Sequence, residues 1–256
     1  MRNEPTERHH PRMQGQVGIA FVAVLALGTL GAAVHAATPK TAPTTRFQKV
    51  LFLGNSITLH GPAQKIGWVG NWGMAASAAD KDFVHIITRS LTKRSGVAPE
   101  TMVKNIAAFE RQYASYRARE NLKDACDFRA DLVIVAIVEN VPGLGTEKEK
   151  TQFEASVGKL LKEVCGDRHP TIVVRSCFWP NQAKDKALRQ ACQQVGGTFV
   201  DISGLSKDES NYARSERSFQ HAGIAAHPGD RGMHTIADAI LKALEPCILA
   251  FPQRKE

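Results

Sequence analysis

The sequence lacks a run of like charges, a repeated segment and a closely spaced cysteine pair. Its Lys and Arg residues are scattered, although the 256-residue chain has a net charge of +8, so no basic segment for nucleic acid is indicated. The five cysteines contain no CxxC pair, and the His and Asp residues share no spacing typical of metal ligands. No GxGxxG motif follows a strand-like segment. We therefore expect no metal, no cofactor and no nucleic-acid partner.

Residues 1–36 are typical of an export signal. A basic start is followed by an apolar stretch from Val17 to Val34 and then by small residues up to Ala36. We expect cleavage after Ala36, which would leave an exported, periplasmic or secreted protein with a net charge of +7; an N-terminal membrane anchor is the alternative. In an oxidising compartment the five cysteines could form up to two disulfides and leave one free thiol.

The remaining residues are predicted to form one α/β domain. After a linker over residues 37–46, residues 47–256 alternate short segments rich in Val or Ile with amphipathic segments. This order favours right-handed crossovers and a five-stranded parallel sheet between two helical layers, which is a three-layer α/β/α sandwich. The predicted strands are Lys49–Leu53, Thr101–Ala107, Asp131–Ile137, Thr171–Cys177 and Thr198–Ile202.

Capping residues mark the predicted helices. Ser77 is the expected N-cap of a helix that ends before Gly96, and Asp230 is the expected cap of the last helix, which continues to about Leu249. Three further helices are predicted near Phe109–Ala125, Gln152–Cys165 and Ala183–Gln194.

Polar residues follow three of the predicted strands, at the edge where parallel sheets bind ligands. Ser56 comes just after the first strand in VLFLGNSITLH, Val138–Asn140 follow the third, and Ser176–Asn181 follow the fourth. A serine hydroxyl becomes an effective nucleophile when a base, usually histidine, lies within hydrogen-bond reach. Ser56 is therefore a candidate nucleophile, although Gly-Asn-Ser after a strand is also an ordinary turn.

His227 is the candidate base. It precedes Pro228 in the loop before the last predicted helix, where the proline and the start of the helix restrict its position. His221 and His234 are the competing bases, and His60 is expected to lie on the wrong side of the turn that follows Ser56. Spacing alone leaves open that His227 is only a loop histidine.

Together, these segments resemble the SGNH/GDSL hydrolase superfamily. GNSIT resembles the GDS(I/L) block, with Asn55 in place of the commoner Asp; HPGDRGMHTIA resembles the histidine block; and Asn140 matches the asparagine of the GxN block. The resemblance implies the flavodoxin-like SGNH hydrolase fold and a serine esterase. In that mechanism Ser56 attacks an acyl carbonyl, His227 takes its proton, and the Ser56 N–H and the Asn140 side chain form part of the oxyanion hole.

The position of the triad acid departs from the family pattern. Ile224 stands three residues before His227, where the family usually has this acid. The acid is therefore missing, replaced by a backbone carbonyl, or supplied from elsewhere in the chain, with Asp201 and Glu139 as the alternatives. We favour a Ser-His dyad whose imidazole is oriented by a main-chain carbonyl.

The block after the second strand departs as well. NIAAFERQY keeps the family's frequent asparagine at Asn105, but Ala107, Ala108 or Glu110 must stand in for the glycine whose N–H donates to the oxyanion. An alanine N–H can donate equally well where the backbone does not need a positive φ. We assign no residue to this donor.

The expected function is an exported esterase that removes acetyl or other short acyl groups, on a carbohydrate, through a Ser56 acyl-enzyme. Trp68, Trp72 and Trp179 could stack on a sugar or pack their loops onto the fold. Alternatives are a thioesterase, lipase or acyltransferase that uses the same site, or a non-catalytic glycan-binding protein of the same fold. We expect a small-molecule or glycan ester as the partner and no stable membrane partner after signal cleavage.

Overall fold

The computed structural model describes residues 47–249. The predicted signal at residues 1–36, the predicted linker at 37–46 and the end of the predicted domain at 250–256 lie outside the described residues. Among the helices within 47–249, none combines the length and the apolar character needed to cross a membrane.

Five parallel strands form one sheet in the described residues, as predicted. They are β1 (Lys49–Gly54), β2 (Glu100–Asn105), β3 (Leu132–Ala136), β4 (Thr171–Arg175) and β5 (Thr198–Val200), in the order β2-β1-β3-β4-β5. The winding direction reverses between β1 and β3, where Gly54 pairs with Ala136. In open parallel sheets the crevice beyond this reversal is the usual ligand site. The turns after β1 and β3 therefore lie side by side.

Four strands end earlier than their apolar sequences predict. The expected ends at Ala107, Ile137, Cys177 and Ile202 lie one or two residues past the observed ends. Except for the exposed Asp201, the extra residues are nevertheless buried, because the chain stays in the interior after leaving the ladder. Hydrophobic runs therefore overestimate strand length at the edge of the sheet that carries the candidate site.

Helices cover both faces of the sheet, which confirms the predicted α/β/α class. The helices in the described residues are α1 (Phe83–Ser95), α2 (Ala107–Gln112), α3 (Ala118–Asn121), α4 (Lys123–Phe128), α5 (Glu147–Cys165), α6 (Gln182–Gln194), α7 (Ala222–Ala225) and α8 (Asp230–Leu249). The predicted helix near 109–125 is thus three short helices. Alternate residues of β1 point to opposite sides, so Val50 and Phe52 pack in one core with α1 and α8, and Leu51 and Leu53 pack in another with α2 to α6.

Ser77 does not cap α1. The helix begins six residues later, and its N-cap is the buried Asp82, whose carboxylate accepts the His85 N–H at 2.8 Å. Ser77 instead donates its N–H and its hydroxyl to Asp230, at 2.6 and 2.5 Å. Gly96 ends α1 as expected, with a φ of 75°.

The last helix begins at Asp230, as predicted, but another carboxylate satisfies its first N–H groups. Glu216 accepts the Asp230 and Arg231 N–H groups at 2.8 Å each. Free N–H groups at a helix start favour such a carboxylate. Because Asp230 contacts Ser77, the start of α8 is tied to the loop that precedes α1.

Four cysteines carry free thiols in the structure: Cys126, Cys165, Cys177 and Cys192. The two disulfides that the cysteine count would allow are therefore not formed. Burial raises the pKa of Cys165 and of Cys192 to about 11 each. Both thiols stay protonated at neutral pH, which makes them poor nucleophiles.

Candidate active site

Ser56 and His227 lie together at the carboxyl end of the sheet. Ser56 follows β1, and His227 lies 171 residues later in the loop before α8; Ser56 Oγ is 2.8 Å from His227 Nε2. Both residues are half-buried. A serine hydroxyl within hydrogen-bond distance of an imidazole is the arrangement that nucleophilic catalysis by serine requires.

The turn that carries Ser56 is closed by its neighbours. A Cβ on Gly54 would lie 2.9 Å from the Ala136 carbonyl oxygen and still closer to the Thr58 side chain, so only glycine fits this position. The Asn55 carbonyl accepts two N–H groups, from Thr58 and Leu59, at 2.9 Å each. Within the described residues the Ser56 N–H has no hydrogen-bond partner, so it is available to an oxyanion.

A backbone carbonyl orients the imidazole of His227. His227 Nδ1 is 2.6 Å from the Gly223 carbonyl oxygen. Because a carbonyl only accepts, Nδ1 carries the proton and Nε2 presents its lone pair to Ser56. The ring of Trp179 packs edge-to-face against the imidazole, with the two ring centroids 5.7 Å apart. This is the geometry of the dyad that we favour from the sequence.

Neither alternative acid hydrogen-bonds to His227 in the described part of the chain. Asp201 accepts the Ser203 N–H at 2.9 Å and pairs with Arg189 on the surface, and Glu139 binds elsewhere in the interior, as described below. Ile224 is buried and packs with Trp68. The position that holds the acid in the family is therefore used here to anchor a tryptophan loop.

The competing histidines have other partners. His221 Nδ1 accepts the Gly223 N–H, His234 lies 3.4 Å from Asp238, and His60 Nδ1 is 2.6 Å from its neighbour's carbonyl oxygen. Within residues 47–249 no group of three or more His, Cys, Asp or Glu side chains is arranged to hold a metal ion.

The pKa of His227 lies below the ordinary histidine value. Burial is the main cause, since it disfavours the imidazolium form; the Gly223 carbonyl and the charge of Glu139 oppose this effect but do not cancel it. The imidazole is therefore neutral at neutral pH, which is the form that accepts a proton from Ser56.

Asn140 follows β3, as predicted, and its amide contacts a carboxylate. Asn140 Nδ2 donates to Glu110 Oε2 at 2.6 Å, and the Asn140 N–H lies 3.4 Å from Glu110 Oε1. Glu110 belongs to α2 and is fully buried. The side-chain amide of Asn140, the proposed oxyanion donor, is thus held by Glu110. From the sequence, Glu110 is considered only for its backbone N–H.

Glu110 also binds the turns on either side of Asn140. Its Oε1 accepts Asn55 Nδ2 at 3.0 Å and the Val138 N–H at 2.5 Å. Val138 has a φ of 102°, a strained conformation for a β-branched residue. It stands at the glycine of the family's GxN pattern, so the Glu110 contact fixes a backbone that valine would not adopt readily.

Glu139 forms the second buried carboxylate below the site. Its Oε2 accepts Asn55 Nδ2 at 2.6 Å, and its Oε1 accepts Arg175 Nη1 at 2.6 Å and the Phe178 N–H at 2.9 Å. The Arg175 side chain is fully buried. We call Asn55, Glu110, Glu139, Asn140 and Arg175 the buried polar layer.

The buried polar layer explains why asparagine replaces the commoner aspartate in the serine block. Asn55 Nδ2 donates to both Glu110 and Glu139, and its Oδ1 accepts the Ile57 N–H at 3.1 Å. An aspartate here would place a third carboxylate against two others without a donor between them. The amide is the group that satisfies all three contacts.

Sequence reasoning missed the side chain of Glu110, although a signal was present. Ile106, Ala107 and Phe109 are buried neighbours along the start of α2. Glu110 lies four residues after Ile106 and three after Ala107, so it falls on the same face of the helix. A charged residue on an apolar helical face is expected to have a specific buried partner.

The structure narrows the choice of the second-block donor. The Ala107 N–H donates to Asn105 Oδ1 at 3.0 Å, and the Glu110 N–H donates to the Ile106 carbonyl at 3.3 Å. The N–H of Ala108 remains as the candidate among the three residues considered from the sequence.

Solved structures show what this fold is similar to. A two-domain esterase active on acetylated mannans, co-crystallised with mannopentaose, matches with a TM-score of 0.53 and 17% identity over 81% of this chain and 52% of its own. A GDSL-like lipase from Parabacteroides merdae matches with a TM-score of 0.51 and 17% identity over 77% of this chain and 95% of its own. An active-site mutant of a family two carbohydrate esterase from Clostridium thermocellum matches with a TM-score of 0.51 and 12% identity over 78% of this chain and 63% of its own.

These similarities establish the fold. This chain spans about half the length of the mannan esterase. A scan with protein-family models and a search of curated proteins gave no match. What these structures share with this chain is the fold, which in this chain is a five-stranded parallel sheet with helices on both faces. The chain therefore has the fold of the SGNH/GDSL hydrolase superfamily.

Proposed function

We propose that this chain is a serine esterase that hydrolyses carboxylic esters through an acyl-enzyme on Ser56. The observation that carries the proposal is the 2.8 Å contact between Ser56 Oγ and His227 Nε2 at the winding reversal of the sheet. The fold is also that of proteins described as esterases and GDSL-like lipases.

Acylation begins when His227 Nε2 takes the proton of Ser56 and the serine oxygen attacks the ester carbonyl. The Gly223 carbonyl holds Nδ1–H at 2.6 Å, so the imidazole enters this step in the correct tautomer. The same carbonyl then faces the imidazolium that forms. His227 returns the proton to the leaving alcohol, and the C–O bond of the substrate breaks.

The oxyanion of the tetrahedral intermediate needs fixed donors. The Ser56 N–H is available, and Asn140 Nδ2 carries a second hydrogen besides the one donated to Glu110. Each fixed donor lowers the barrier by about 3 to 4 kcal/mol in comparable enzymes. A water molecule, deprotonated by His227, then attacks the acyl-Ser56 carbonyl, and the acid leaves as Ser56 recovers its proton.

The substrate proposed is an acetyl or short acyl ester on a carbohydrate. Two solved structures of the same fold are a mannan esterase and a carbohydrate esterase. In this chain Trp179 is half-buried beside His227, so part of its ring is accessible where an alcohol would leave. An aromatic face of this kind suits the apolar face of a sugar ring.

The nucleophile is tested with Ser56→Ala in the purified mature chain, with the exposed Ser218→Ala as the matched control. We expect Ser56→Ala to abolish turnover of p-nitrophenyl acetate and labelling by a fluorophosphonate, and mass spectrometry to place the adduct of the wild type on Ser56. Unchanged turnover in Ser56→Ala would refute the proposal. A wild type that neither reacts nor labels but binds acetylated mannan would be a glycan-binding protein.

The acyl acceptor and the substrate are tested separately. We expect acetate release from acetylated mannan or xylan in water, at rates that Trp179→Ala reduces more for the polymer than for p-nitrophenyl acetate. Equal reduction for both substrates would argue against a sugar contact. Faster turnover of acyl thioesters than of acyl sugars would indicate a thioesterase instead.

Export is part of the same proposal. The support is the sequence of residues 1–36 alone, with its basic start, apolar stretch and small residues before Ala36. N-terminal sequencing of the protein recovered from a bacterial periplasm should begin at Ala37. Recovery of the full-length chain in the membrane fraction would favour the anchor.

A further inference from the structure

We infer that Glu110 is a positioning residue for the oxyanion hole, and that it acts by holding the amide of Asn140. The inference rests on the proposed function, because it assumes that Asn140 stabilises the oxyanion. It adds a residue whose side chain neither the family pattern nor the sequence analysis assigns to the reaction.

The Asn140 amide faces Glu110 with its NH2 end. Glu110 Oε2 is 2.6 Å from Asn140 Nδ2. An ionised carboxylate only accepts hydrogen bonds, so the NH2 end of the amide, and not its carbonyl end, must face Glu110. One hydrogen is used in this contact, and the other stays available. If the amide turned over, its oxygen would take the place of this donor and would repel an oxyanion.

Glu110 also contacts the backbone of the loop that carries Asn140. Glu110 Oε1 accepts the Val138 N–H at 2.5 Å, and the Asn140 N–H lies 3.4 Å away. The positive φ of Val138 is strained for valine. One carboxylate thus holds both the side chain of Asn140 and the strained backbone that places it, as supporting hydrogen bonds do in other preorganised sites.

Glu110 also contacts the turn that carries Ser56. Glu110 Oε1 also accepts Asn55 Nδ2 at 3.0 Å, and Asn55 directly precedes Ser56. The turns after β1 and β3 are neighbours in the sheet. Glu110 therefore joins the turn of the nucleophile to the turn of the oxyanion donor through one buried side chain.

Keeping this buried carboxylate ionised costs stability. Burial, and then the charge of Glu139, raise the pKa of Glu110, while hydrogen bonds from Asn55, Asn140 and Val138 oppose the rise. A carboxyl whose folded pKa exceeds its unfolded value binds a proton more readily in the folded state. Its contribution to stability therefore decreases as the pH rises from its ordinary value through the raised value. An amide in its place would not carry this cost.

The test is Glu110→Gln, with the exposed Glu120→Gln as a control of equal charge change. Glutamine keeps the shape but offers an NH2 to Asn140, so the Asn140 amide is free to turn over. We expect kcat for p-nitrophenyl acetate to fall about a hundredfold, as for loss of one oxyanion donor, with KM almost unchanged and the melting temperature not lowered. Unchanged kcat in folded Glu110→Gln would overturn the inference, and so would a loss of activity that only accompanies unfolding.

A double-mutant cycle separates positioning from a general structural effect. If Glu110 acts through Asn140, adding Glu110→Gln to Asn140→Ala should lower kcat little further, because the group being positioned is already gone. Two full, multiplicative losses would overturn the inference. Glu110→Asp, which keeps the charge on a shorter side chain, should fall between the wild type and Glu110→Gln.

The failures are distinguishable. If Ser56→Ala retains turnover, the proposed function is wrong. If Ser56→Ala is inactive but Asn140→Ala is as active as the wild type, the oxyanion role of Asn140 is wrong, and the inference fails with it. If Asn140→Ala is impaired and Glu110→Gln is not, only the positioning role is wrong.

Discussion

The two sides of the candidate site are supported by different kinds of groups. On the histidine side, the imidazole of His227 contacts a backbone carbonyl at Gly223 and the ring of Trp179, and Ile224 fills the position of the usual acid. On the asparagine side, Glu110 lies fully buried beneath Asn140, together with Glu139 and Arg175 of the buried polar layer. The groups that contact His227 are neutral, and we call this the neutral side. The asparagine side contains three ionisable side chains, and we call it the charged side.

This difference indicates where the site holds its electrostatic preorganisation. In a triad, a carboxylate stabilises the imidazolium that forms during attack. Here the Gly223 carbonyl supplies only a dipole, so the imidazolium gains less. In the proposed mechanism, the carboxylate of Glu110 instead fixes the Asn140 amide, which would face the opposite charge, the oxyanion. Under the proposed function, the site would therefore rely on accurately held oxyanion donors more than on a charged partner for the histidine.

The largest expected effect on activity comes from removing the base on the neutral side. His227→Gln removes the base, and kcat for p-nitrophenyl acetate should fall by about 10⁴-fold or more, which corresponds to roughly 5 kcal/mol or more of barrier. His234→Gln is the matched control, because its ring pairs with Asp238 on α8. Equal activity of the two variants would exclude His227 as the base.

The next largest effect is on stability and comes from removing the buried cation on the charged side. Arg175→Met leaves Glu139 buried without its cation, and the free energy of unfolding should fall by about 3 to 5 kcal/mol. Arg189→Met removes the exposed partner of Asp201 and should cost less than about 1 kcal/mol. Urea denaturation measures both. Joint replacement, Arg175→Met with Glu139→Leu, should recover part of the loss; if it does not, the pair is not the cause.

A smaller effect acts on the glycine between the two sides. Gly54 lies between Thr58 and the Ala136 carbonyl, and Gly54→Ala should lower the free energy of unfolding by about 1 to 3 kcal/mol through overpacking. Gly204→Ala is the control, since a Cβ there meets no atom within 4 Å. Thermal unfolding that is equal for both variants would contradict the close approach.

The sequence predicts the parts of this comparison that follow repeating patterns. Val- and Ile-rich segments predict the sheet, and the strand order explains why Ser56 and His227 meet despite their separation. It does not predict the partners of Glu110, because they come from two other turns of the chain, and the apolar helical face in NIAAFERQY indicates only that this side chain is buried. It also misplaces the cap of α1 at Ser77, since a partner on α8 binds that serine.

The pH dependence of kcat/KM tests the neutral side of the site. Because burial lowers the pKa of His227, the acidic limb of kcat/KM should have its midpoint below the ordinary histidine pKa of about 6.5. Below the midpoint His227 is protonated and cannot accept a proton from Ser56. A lowered folded pKa also means that stability contributed by His227 is lost as the pH falls through this window. A midpoint above the ordinary value would indicate a nearby carboxylate acting on the imidazole.

The smallest effect is the one that tests whether a carboxylate supports His227 from a distance. Asp201→Asn preserves an oxygen that can accept the Ser203 N–H, and Asp201 has no hydrogen bond to His227 among the described residues. Activity should therefore stay within about twofold of the wild type, as for most surface substitutions, and the acidic limb of kcat/KM should not move. A thousandfold loss would identify Asp201 as the missing acid. That result would place a charge on the histidine side and remove the asymmetry between the two sides of the site.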